Sequence, residues 1–569
     1  MTKRKSSHLA SRPAAAHQPQ PSQPHLPSPA AIRETIESIV IAFVLAFLFR
    51  TFEAEAFVIP TGSMAPTLMG RHKDLDCPEC GYEYRVSASD EVTQEGTPLG
   101  DEKLVEESTC PMCRYTADLG PGNPQHQSYP SYYGDRVLVG KCSYAISDPK
   151  RWDVIVFKYP GDASVNFIKR LIGLPGETVR ISHGDIWIRR GTGPFAIARK
   201  PPGKLLAMLQ PVFNNDYMPK LVALGWPARW QPELPADGST AGAWHSEDAT
   251  TFLIDGTASG PRWLRYHHLV PSYNEWKMVE YRKPTQPLHL KPQWITDFTA
   301  YNTGRSREQA SINLAPDPDV LGLHWVGDLA VGCTLDAESD HGQAVLELRK
   351  GGREFQCRLD LATGRATLAI SGDDTAQFRP AALTNVRGPG RHRLLFSNCD
   401  DELRLWVDGS VVAFDAATTY PDLHNVEPLE SDLTPAGVAS TGARMKISHL
   451  RILRNIYYIA VGEHYGGQLI TDYVNPDFSQ GIMALIASHP QQRTVEFPLK
   501  ADQFFMLGDN SARSKDGRLW GSTYWVDRNL LIGKAICVYW PHSWNYIHTP
   551  WFDIPFPYFP NFQRMRMVR

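Results

Sequence analysis

The longest unbroken run of apolar residues lies near the start of the chain. Residues 39–49 contain no polar side chain, and the apolar stretch around them reaches about 20 residues, the length that spans a bilayer. We therefore predict a transmembrane helix over residues 31–52. Basic residues are concentrated before this run and only Arg50 follows it closely, so the positive-inside rule places the N-terminus in the cytoplasm. The alternative is a cleaved signal peptide with Ala54-Glu-Ala56 as its cleavage site.

A second pattern fills the middle of the chain, where short apolar runs alternate with Gly, Asp and Asn turns. Examples are residues 329–333 and residues 403–407, the latter followed by Asp408-Gly409. Short strands at this spacing predict a β-sandwich, so we assign residues 205–455 to an inserted, jelly-roll-like domain. The pattern is similar to that of laminin-G and concanavalin-like folds. Its function is either binding of a carbohydrate or protein ligand or a structural, docking role.

Length and charge narrow the class of protein. A chain of 569 residues exceeds one ordinary core, and roughly two to four domains are expected. Residues 1–30 are rich in Pro, Ser, Gln, Ala and His, so we predict a disordered cytoplasmic tail. The net charge is -3 and no basic stripe is visible, which argues against a nucleic-acid partner.

Four cysteines form two knuckles, Cys77-Pro-Glu-Cys80 and Cys110-Pro-Met-Cys113. Two such turns about thirty residues apart are typical of a zinc ribbon with four cysteine ligands, in which each turn presents two thiolates to one tetrahedral ion. We therefore predict a zinc-ribbon-like insert over residues 71–129 with a structural Zn2+. The alternatives are two disulfides, because the predicted compartment is oxidising, and unpaired thiols.

Three further segments carry candidate chemistry: residues 59–68, residues 167–176 and residues 506–518, with Gly134-Asp-Arg-Val-Leu-Val139 between the first two. Their order and their residues resemble the bacterial type I signal peptidases (leader peptidases), which are membrane-bound Ser-Lys endopeptidases. The resemblance implies a mainly β fold, with a signal-peptidase-type β catalytic domain behind one N-terminal helix. Its parts would be residues 53–70, 130–204 and 456–569.

The resemblance implies Ser63 as the nucleophile and Lys169 as its general base. A serine hydroxyl is a weak nucleophile and needs an adjacent base. Lysine is charged at neutral pH, and burial among apolar neighbours lowers its pKa. A fall from about 10.4 to near 8 requires about 3 kcal/mol of differential destabilisation. Arg170 follows Lys169, and successive side chains of a strand point to opposite faces, so we expect Arg170 on the face opposite Lys169.

The resemblance also implies roles for residues around this pair. Thr61 Oγ1 and the Ser63 backbone N–H would form the oxyanion hole, and Ser514 would hydrogen-bond to Lys169 and orient it. The residues implied to be structural at the site are Gly508, Asp509, Asn510, Asp516 and Arg518, and those implied to line small substrate pockets are Phe57, Ile59 and Ile168. Alternatively, Asp509 and Asp516 are a carboxylate pair for acid–base work, and the pocket residues are ordinary core.

We therefore expect a hydrolase of the cell membrane that removes signal peptides from exported preproteins at Ala-x-Ala sites. The catalytic domain would lie on the outer or periplasmic side, in contact with the lipid bilayer, and would work through an acyl-enzyme without an organic cofactor. The alternatives are a Ser-Lys protease that cleaves itself or a regulator, an inactive peptidase scaffold or binding module that displays the β-sandwich, and a surface adhesin.

Overall fold

The computed structural model describes most of the chain, and the predicted mainly β fold is confirmed. The predicted disordered tail lies almost entirely outside the described residues. These are residues 29–48, 54–93, 96–120, 129–224, 226–234, 242–246, 248–272, 275–276, 278, 291–311, 322–372, 375–421, 423, 427–463, 469–471, 494–548 and 553–569.

The described strands fall into three groups along the chain. The first group is β1 Ala54–Val58, β2 His72–Asp76, β3 Glu83–Ser87, β4 Val105–Thr109, β5 Thr116–Asp118, β6 Ser131–Tyr132, β7 Arg136–Gly140, β8 Val154–Tyr159, β9 Asp162–Gly173, β10 Glu177–Ser182, β11 Asp185–Arg190 and β12 Ala196–Ile197. The second is β13 Gln210–Asn214, β14 Trp230–Pro232, β15 Phe252–Ile254, β16 Arg262–Tyr266, β17 Arg305–Ser306, β18 Leu329–Ala337, β19 Gln343–Lys350, β20 Arg353–Asp360, β21 Arg365–Ile370, β22 Ala381–Leu383, β23 Gly390–Cys399, β24 Glu402–Val407, β25 Ser410–Val411, β26 Ala436–Thr441 and β27 Met445–Arg454. The third is β28 Val461–Glu463, β29 Leu469–Thr471, β30 Thr494–Pro498, β31 Gln503–Leu507, β32 Val526–Asp527, β33 Leu531–Trp540, β34 Ser543–His548, β35 Asp553–Pro560 and β36 Arg566–Met567.

In the part of the chain that the structure describes, the α-helices with a defined span are few and mostly short. They are α1 Pro29–Leu48, α2 Ser143–Ile146, α3 Pro202–Met208 and α4 Arg307–Ser311. The first of them occupies the place of the predicted transmembrane helix. Within the described residues, however, no helix combines the length and the apolar character needed to cross a membrane. Contacts divide the chain into two compact units, Met1–Ala54 and Glu55–Arg569. The domain boundaries predicted within the second unit stay a prediction.

An eight-stranded sheet carries the segments that the sequence singled out. Its strands run in the order β1-β7-β33-β8-β9-β31-β32, and β36 pairs with β33. Lys169 on β9 lies opposite Ile155 on β8, whereas Arg170 lies opposite Leu507, the last residue of β31. The loop that follows β31 therefore starts beside the two basic residues of β9.

A four-stranded sheet, ordered β12-β11-β10-β30, packs against this larger sheet. Burial alternates along β10, as expected for a strand with one face in the core. Its buried Val179 and Ile181 share a core cluster with Phe505 and Leu507 of β31. The strand that leads into the candidate loop is therefore covered on both faces, and all five of its residues are buried.

The middle of the chain forms two seven-stranded sheets. One contains β13-β27-β18-β23-β24-β25 with β15 paired to β27, and the other contains β14-β16-β26-β19-β20-β21-β22. Side chains from both sheets, such as Phe396 and Phe355, belong to one hydrophobic core. Asp408 and Gly409 both have positive φ, which suits the two-residue hairpin turn between β24 and β25.

The cysteine-rich segment, residues 71–129, supplies most strands of two three-stranded sheets, β3-β2-β6 and β17-β4-β5. The second sheet contains one strand from a distant part of the chain. Its β17, Arg305–Ser306, lies within the predicted insertion and pairs antiparallel with β4. The predicted insertion thus contributes backbone hydrogen bonds to the cysteine-rich segment.

Candidate active site

Ser63 lies in a short 3-10 turn, Gly62–Met64, that follows β1. The turn is buried, and Ser63 is 7% exposed. Lys169 Nζ donates to Ser63 Oγ at 2.5 Å, although the two residues are 106 positions apart. The structure therefore brings together the two residues assigned as nucleophile and base.

The surroundings of Lys169 set its protonation. Its side chain is only 4% exposed, and burial lowers its pKa from the ordinary 10.5 to about 8. The negative charge of Asp516 opposes this fall, and the positive charge of Arg518 adds to it. A lysine with this pKa is partly neutral just above physiological pH, which is the state in which an amine accepts a proton.

Arg170, the neighbour of Lys169 on β9, contacts the loop that follows β31, a partner that the sequence pattern did not reveal. It is fully buried and forms a bidentate pair with Asp509, with Nε to Oδ1 at 2.7 Å and Nη2 to Oδ2 at 2.6 Å. Thr67 donates its hydroxyl hydrogen to the same carboxylate. Asp509 therefore joins β9 to the segment just after Ser63 through an ion pair and a hydrogen bond.

Asp516 and Arg518 form a second buried pair, with Arg518 Nε to Oδ1 and Nη2 to Oδ2 both at 2.8 Å. Asp516 also accepts the backbone N–H of Gly508 at 2.9 Å, which closes the loop on itself. A Cβ at Gly508 would collide with the Ser514 side chain and the Ser63 carbonyl. Only glycine fits this close approach of the loop to the serine turn.

The resemblance implied roles for the hydroxyl groups of Thr61 and Ser514. Thr61 is exposed, precedes the Ser63 turn in an extended conformation and makes no capping hydrogen bond from its side chain. Ser514 is 3% exposed, and its Oγ has no hydrogen-bond partner among the described residues. The hydrogen bond to Lys169 that the resemblance implied is therefore absent from this geometry, and the orienting role of Ser514 stays a prediction.

Asn510 holds the backbone of the serine turn. Its backbone N–H donates to Ser63 O at 3.1 Å, and its Nδ2 donates to Gly62 O at 3.1 Å. The same side chain exchanges two hydrogen bonds of 2.8 Å with Asn302, a residue of the predicted insertion. Sequence reasoning missed Asn302, because it lies in none of the recognised motifs.

The predicted pocket residues share one apolar cluster. Ile59 is buried, and Phe57 and Ile168 pack against the cluster while partly exposed. Met64, which follows the candidate nucleophile, belongs to the same cluster. The three residues thus share a cluster with the serine turn, and their role as pocket walls stays a prediction.

The four cysteines of the two knuckles form a cluster. Their Sγ atoms all lie within 4.8 Å of one another, with Cys77 to Cys113 at 3.4 Å and Cys80 to Cys110 at 3.6 Å. These separations far exceed the roughly 2.05 Å of a disulfide and are close to the ~3.8 Å of two sulfurs on a tetrahedral zinc. All four are free thiols. The donor set therefore fits Zn2+, which four cysteines would hold without an open position for catalysis.

Comparison with known proteins finds a family match for two segments of the chain. A family described as "Signal peptidase, peptidase S26" matches residues 123–204 and 437–540, about a third of the chain. The matched segments contain Lys169 and the loop from Gly508 to Arg518, whereas Ser63 precedes them.

Three relatives carry related names. A "Signal peptidase I" of Leptolyngbya laminosa is 32% identical over 179 residues, 30% of this chain and 56% of that protein. A "Probable signal peptidase I-2" of Synechocystis sp. is 45% identical over 158 residues, 27% of this chain and 43% of that protein. A "Signal peptidase I" of Pseudomonas fluorescens is 49% identical over 59 residues, 8% of this chain and 21% of that protein. The chain thus spans from about a fifth to just over half of the length of these relatives.

Among solved structures, the galectin LEC-6 of Caenorhabditis elegans covers 22% of this chain and 83% of its own, at 11% identity and a TM-score of 0.16. That similarity is too low to bear on the fold. The family match and the three relatives agree with one another. The predicted resemblance to the type I signal peptidases is therefore confirmed, and it rests on the two segments that match the peptidase S26 family.

Proposed function

We propose that this protein is a membrane-bound serine endopeptidase that removes N-terminal signal peptides from exported preproteins. The observation that carries the proposal is the 2.5 Å contact between Lys169 Nζ and Ser63 Oγ in a buried setting. A lysine whose pKa is about 8 serves as a general base for a serine hydroxyl, whereas an ordinary surface lysine does not. The names of the relatives support the same activity.

The reaction would proceed in two stages. The neutral Lys169 amine takes the Ser63 hydroxyl proton while Oγ attacks the scissile carbonyl, and the resulting ammonium gives that proton to the leaving amine. Lys169 then deprotonates a water that hydrolyses the acyl-enzyme, and Ser63 is regenerated. The Ser63 N–H and Thr61 Oγ1 would donate to the oxyanion, since Thr61 caps the turn without using its hydroxyl there. This sequence follows the logic of the Ser-Lys variants of the catalytic triad.

The substrate class follows from the same proposal. Phe57, Ile59 and Ile168 border the serine turn and would form small apolar pockets that accept Ala-x-Ala sequences. A larger side chain would overpack such pockets. The predicted span, residues 31–52, which continues past α1 into residues outside the described ranges, would anchor the chain in the cell membrane with the N-terminus in the cytoplasm and the catalytic domain on the outer side, where preproteins emerge. The four knuckle cysteines would bind a structural Zn2+ that takes no part in catalysis.

Cleavage of a preprotein with an Ala-x-Ala site by the purified full chain in detergent tests the proposal. The parent should cut at that site, and Ser63→Ala and Lys169→Ala should lose cutting. Ser410→Ala, which changes an exposed serine on β25, is the matched control and should retain parent activity. The parent rate should also rise with pH through about 8, because Lys169 acts in its neutral form.

Two outcomes would overturn the proposal. One is a parent that leaves several preproteins intact, which would favour an inactive scaffold or binding module. The other is parent-level cutting by Ser63→Ala or Lys169→Ala, which would assign catalysis to other residues.

A further inference from the structure

The predicted insertion reaches the serine turn through one short segment. Residues Ala300–Asn302 form a buried 3-10 turn. The ring of Tyr301 lies so close to Gly62 that a Cβ there would collide with it. Tyr301 also shares a buried apolar cluster with Ala65 and Met69, on the chain that leaves the turn. The insertion is thus packed directly against the residues that position Ser63.

Asn302 of this segment makes a polar contact with Asn510. Asn302 and Asn510 are 7% and 5% exposed, and each donates its amide N–H to the oxygen of the other at 2.8 Å. The remaining N–H of Asn510 Nδ2 points to Gly62 O. The pairing therefore fixes which way the Asn510 amide faces, because a flipped amide would bring its oxygen against the Gly62 carbonyl.

Asn302 is itself held in place by the cysteine-rich segment. Thr303 Oγ1 accepts the backbone N–H of Thr109 at 3.0 Å and donates to Ala300 O at 2.8 Å. Arg305, on β17, pairs with Glu107 of β4 at 2.9 Å. The chain of contacts therefore runs from β4 through the turn that carries Asn302 to Asn510 and the carbonyls of the serine turn.

We propose that Asn302 is a positioning residue for Ser63, which it holds at attacking distance through the orientation of the Asn510 amide. This inference rests on the proposed peptidase function and adds that the insertion completes the active site. Asn302 touches neither the reacting atoms nor Lys169 in the described contacts, so its effect falls on the placement of Ser63 Oγ. A displacement of about 1 Å in a reacting group costs up to about 100-fold in rate.

The experiment compares Asn302→Ala, Asn510→Ala and the double variant, in the full chain, for kcat and KM on an Ala-x-Ala preprotein. Each single variant should lower kcat about 10- to 100-fold with KM nearly unchanged. Because both residues act as one unit, the double variant should be no slower than Asn510→Ala alone. Asn215→Ala is the matched control, since Asn215 is also buried in the insertion and, among the described residues, its side chain donates to the carbonyls of residues 249 and 250.

The pH profile separates positioning from general loosening. If the variant only loosens the domain, water reaches Lys169 and the midpoint of the rate rises from about 8 towards the ordinary lysine value. If Asn302 positions Ser63, kcat falls while the midpoint stays. Should Asn302→Ala fail to fold, Asn302→Asp keeps the shape and the acceptor but loses the donor to Asn510 Oδ1, and it should show the same fall in kcat.

The outcomes distinguish this inference from the proposed function. An inert parent overturns the proposed function. An active parent with Asn302→Ala and Asn302→Asp at parent kcat overturns the inference alone. A double variant whose loss equals the product of the two single losses also overturns it, because the two asparagines would then act independently.

Discussion

The buried Lys169 should make the protein less stable at neutral pH, and replacing it with methionine should reverse that cost. Folding lowers the pKa of Lys169 from 10.5 to about 8. That difference of about 2.5 pKa units corresponds to about 3 kcal/mol, since each unit equals ~1.4 kcal/mol. Lys169→Met keeps the length of the side chain and removes the charge. It also removes the hydrogen bond to Ser63, a loss of about 1 kcal/mol, so we expect a net gain of about 2 kcal/mol at pH 7.

The sign of the pH dependence follows from linkage. Between pH 8 and 10.5 the unfolded chain binds more protons at this lysine than the folded chain, so the stability of the parent rises with pH across that window. Below pH 8 the methionine variant keeps its full advantage. Above 10.5 both states of the parent are neutral at this position, and the advantage is lost.

Thermal unfolding of parent and variant, compared at several pH values from 7 to 10.5, measures this difference. Other groups titrate alike in both proteins and cancel. Lys200→Met is the matched control: Lys200 is also buried, but it pairs with Asp400 at 2.6 Å, so its replacement should destabilise the protein. A Lys169→Met protein that melts below the parent at pH 7, or a difference that does not change with pH, would refute the reasoning.

Three further predictions concern the supports of the site. Asp509→Asn leaves the buried Arg170 without its carboxylate and should cost about 3–5 kcal/mol of stability, seen as a lower melting temperature. Gly508→Ala should lower kcat about 100-fold in the cleavage assay, since the new methyl group pushes on Ser514 and on the serine turn. Cys80→Ser, or treatment with a strong chelator, should remove the bound zinc and lower the melting temperature. The zinc content is measured by elemental mass spectrometry of the purified protein.

Each of these has a control of the same chemistry. Asp502→Asn breaks an exposed pair with Arg528 and should change stability by less than about 1 kcal/mol. Gly203→Ala adds a Cβ that meets no atom within 4 Å and should leave kcat unchanged. Cys142→Ser lies outside the four-cysteine cluster and should keep zinc. Equal effects of a variant and its control would contradict the corresponding prediction.

The sequence by itself determined the candidate catalytic residues and much of the strand pattern. Ser63, Lys169 and the loop from Gly508 to Arg518 lie in short motifs whose residue order is visible without a structure. Residues 329–333 and 403–407 lie within strands, as predicted from short apolar runs bounded by turn residues, which are a local property of the chain. The two cysteine knuckles could also be recognised from the sequence, because the two cysteines of each knuckle lie in a single turn.

Only the tertiary structure decided how these pieces meet. The lowered pKa of Lys169 depends on burial by several strands, and the partner of Arg170 lies 339 positions away. Asn302 lies in no recognised motif, and the sequence around it does not predict its contact with Asn510, 208 positions further along. The physical reason is that hydrophobic period and turn chemistry act between near neighbours in sequence. A buried hydrogen bond between distant side chains exists only after the sheets have packed.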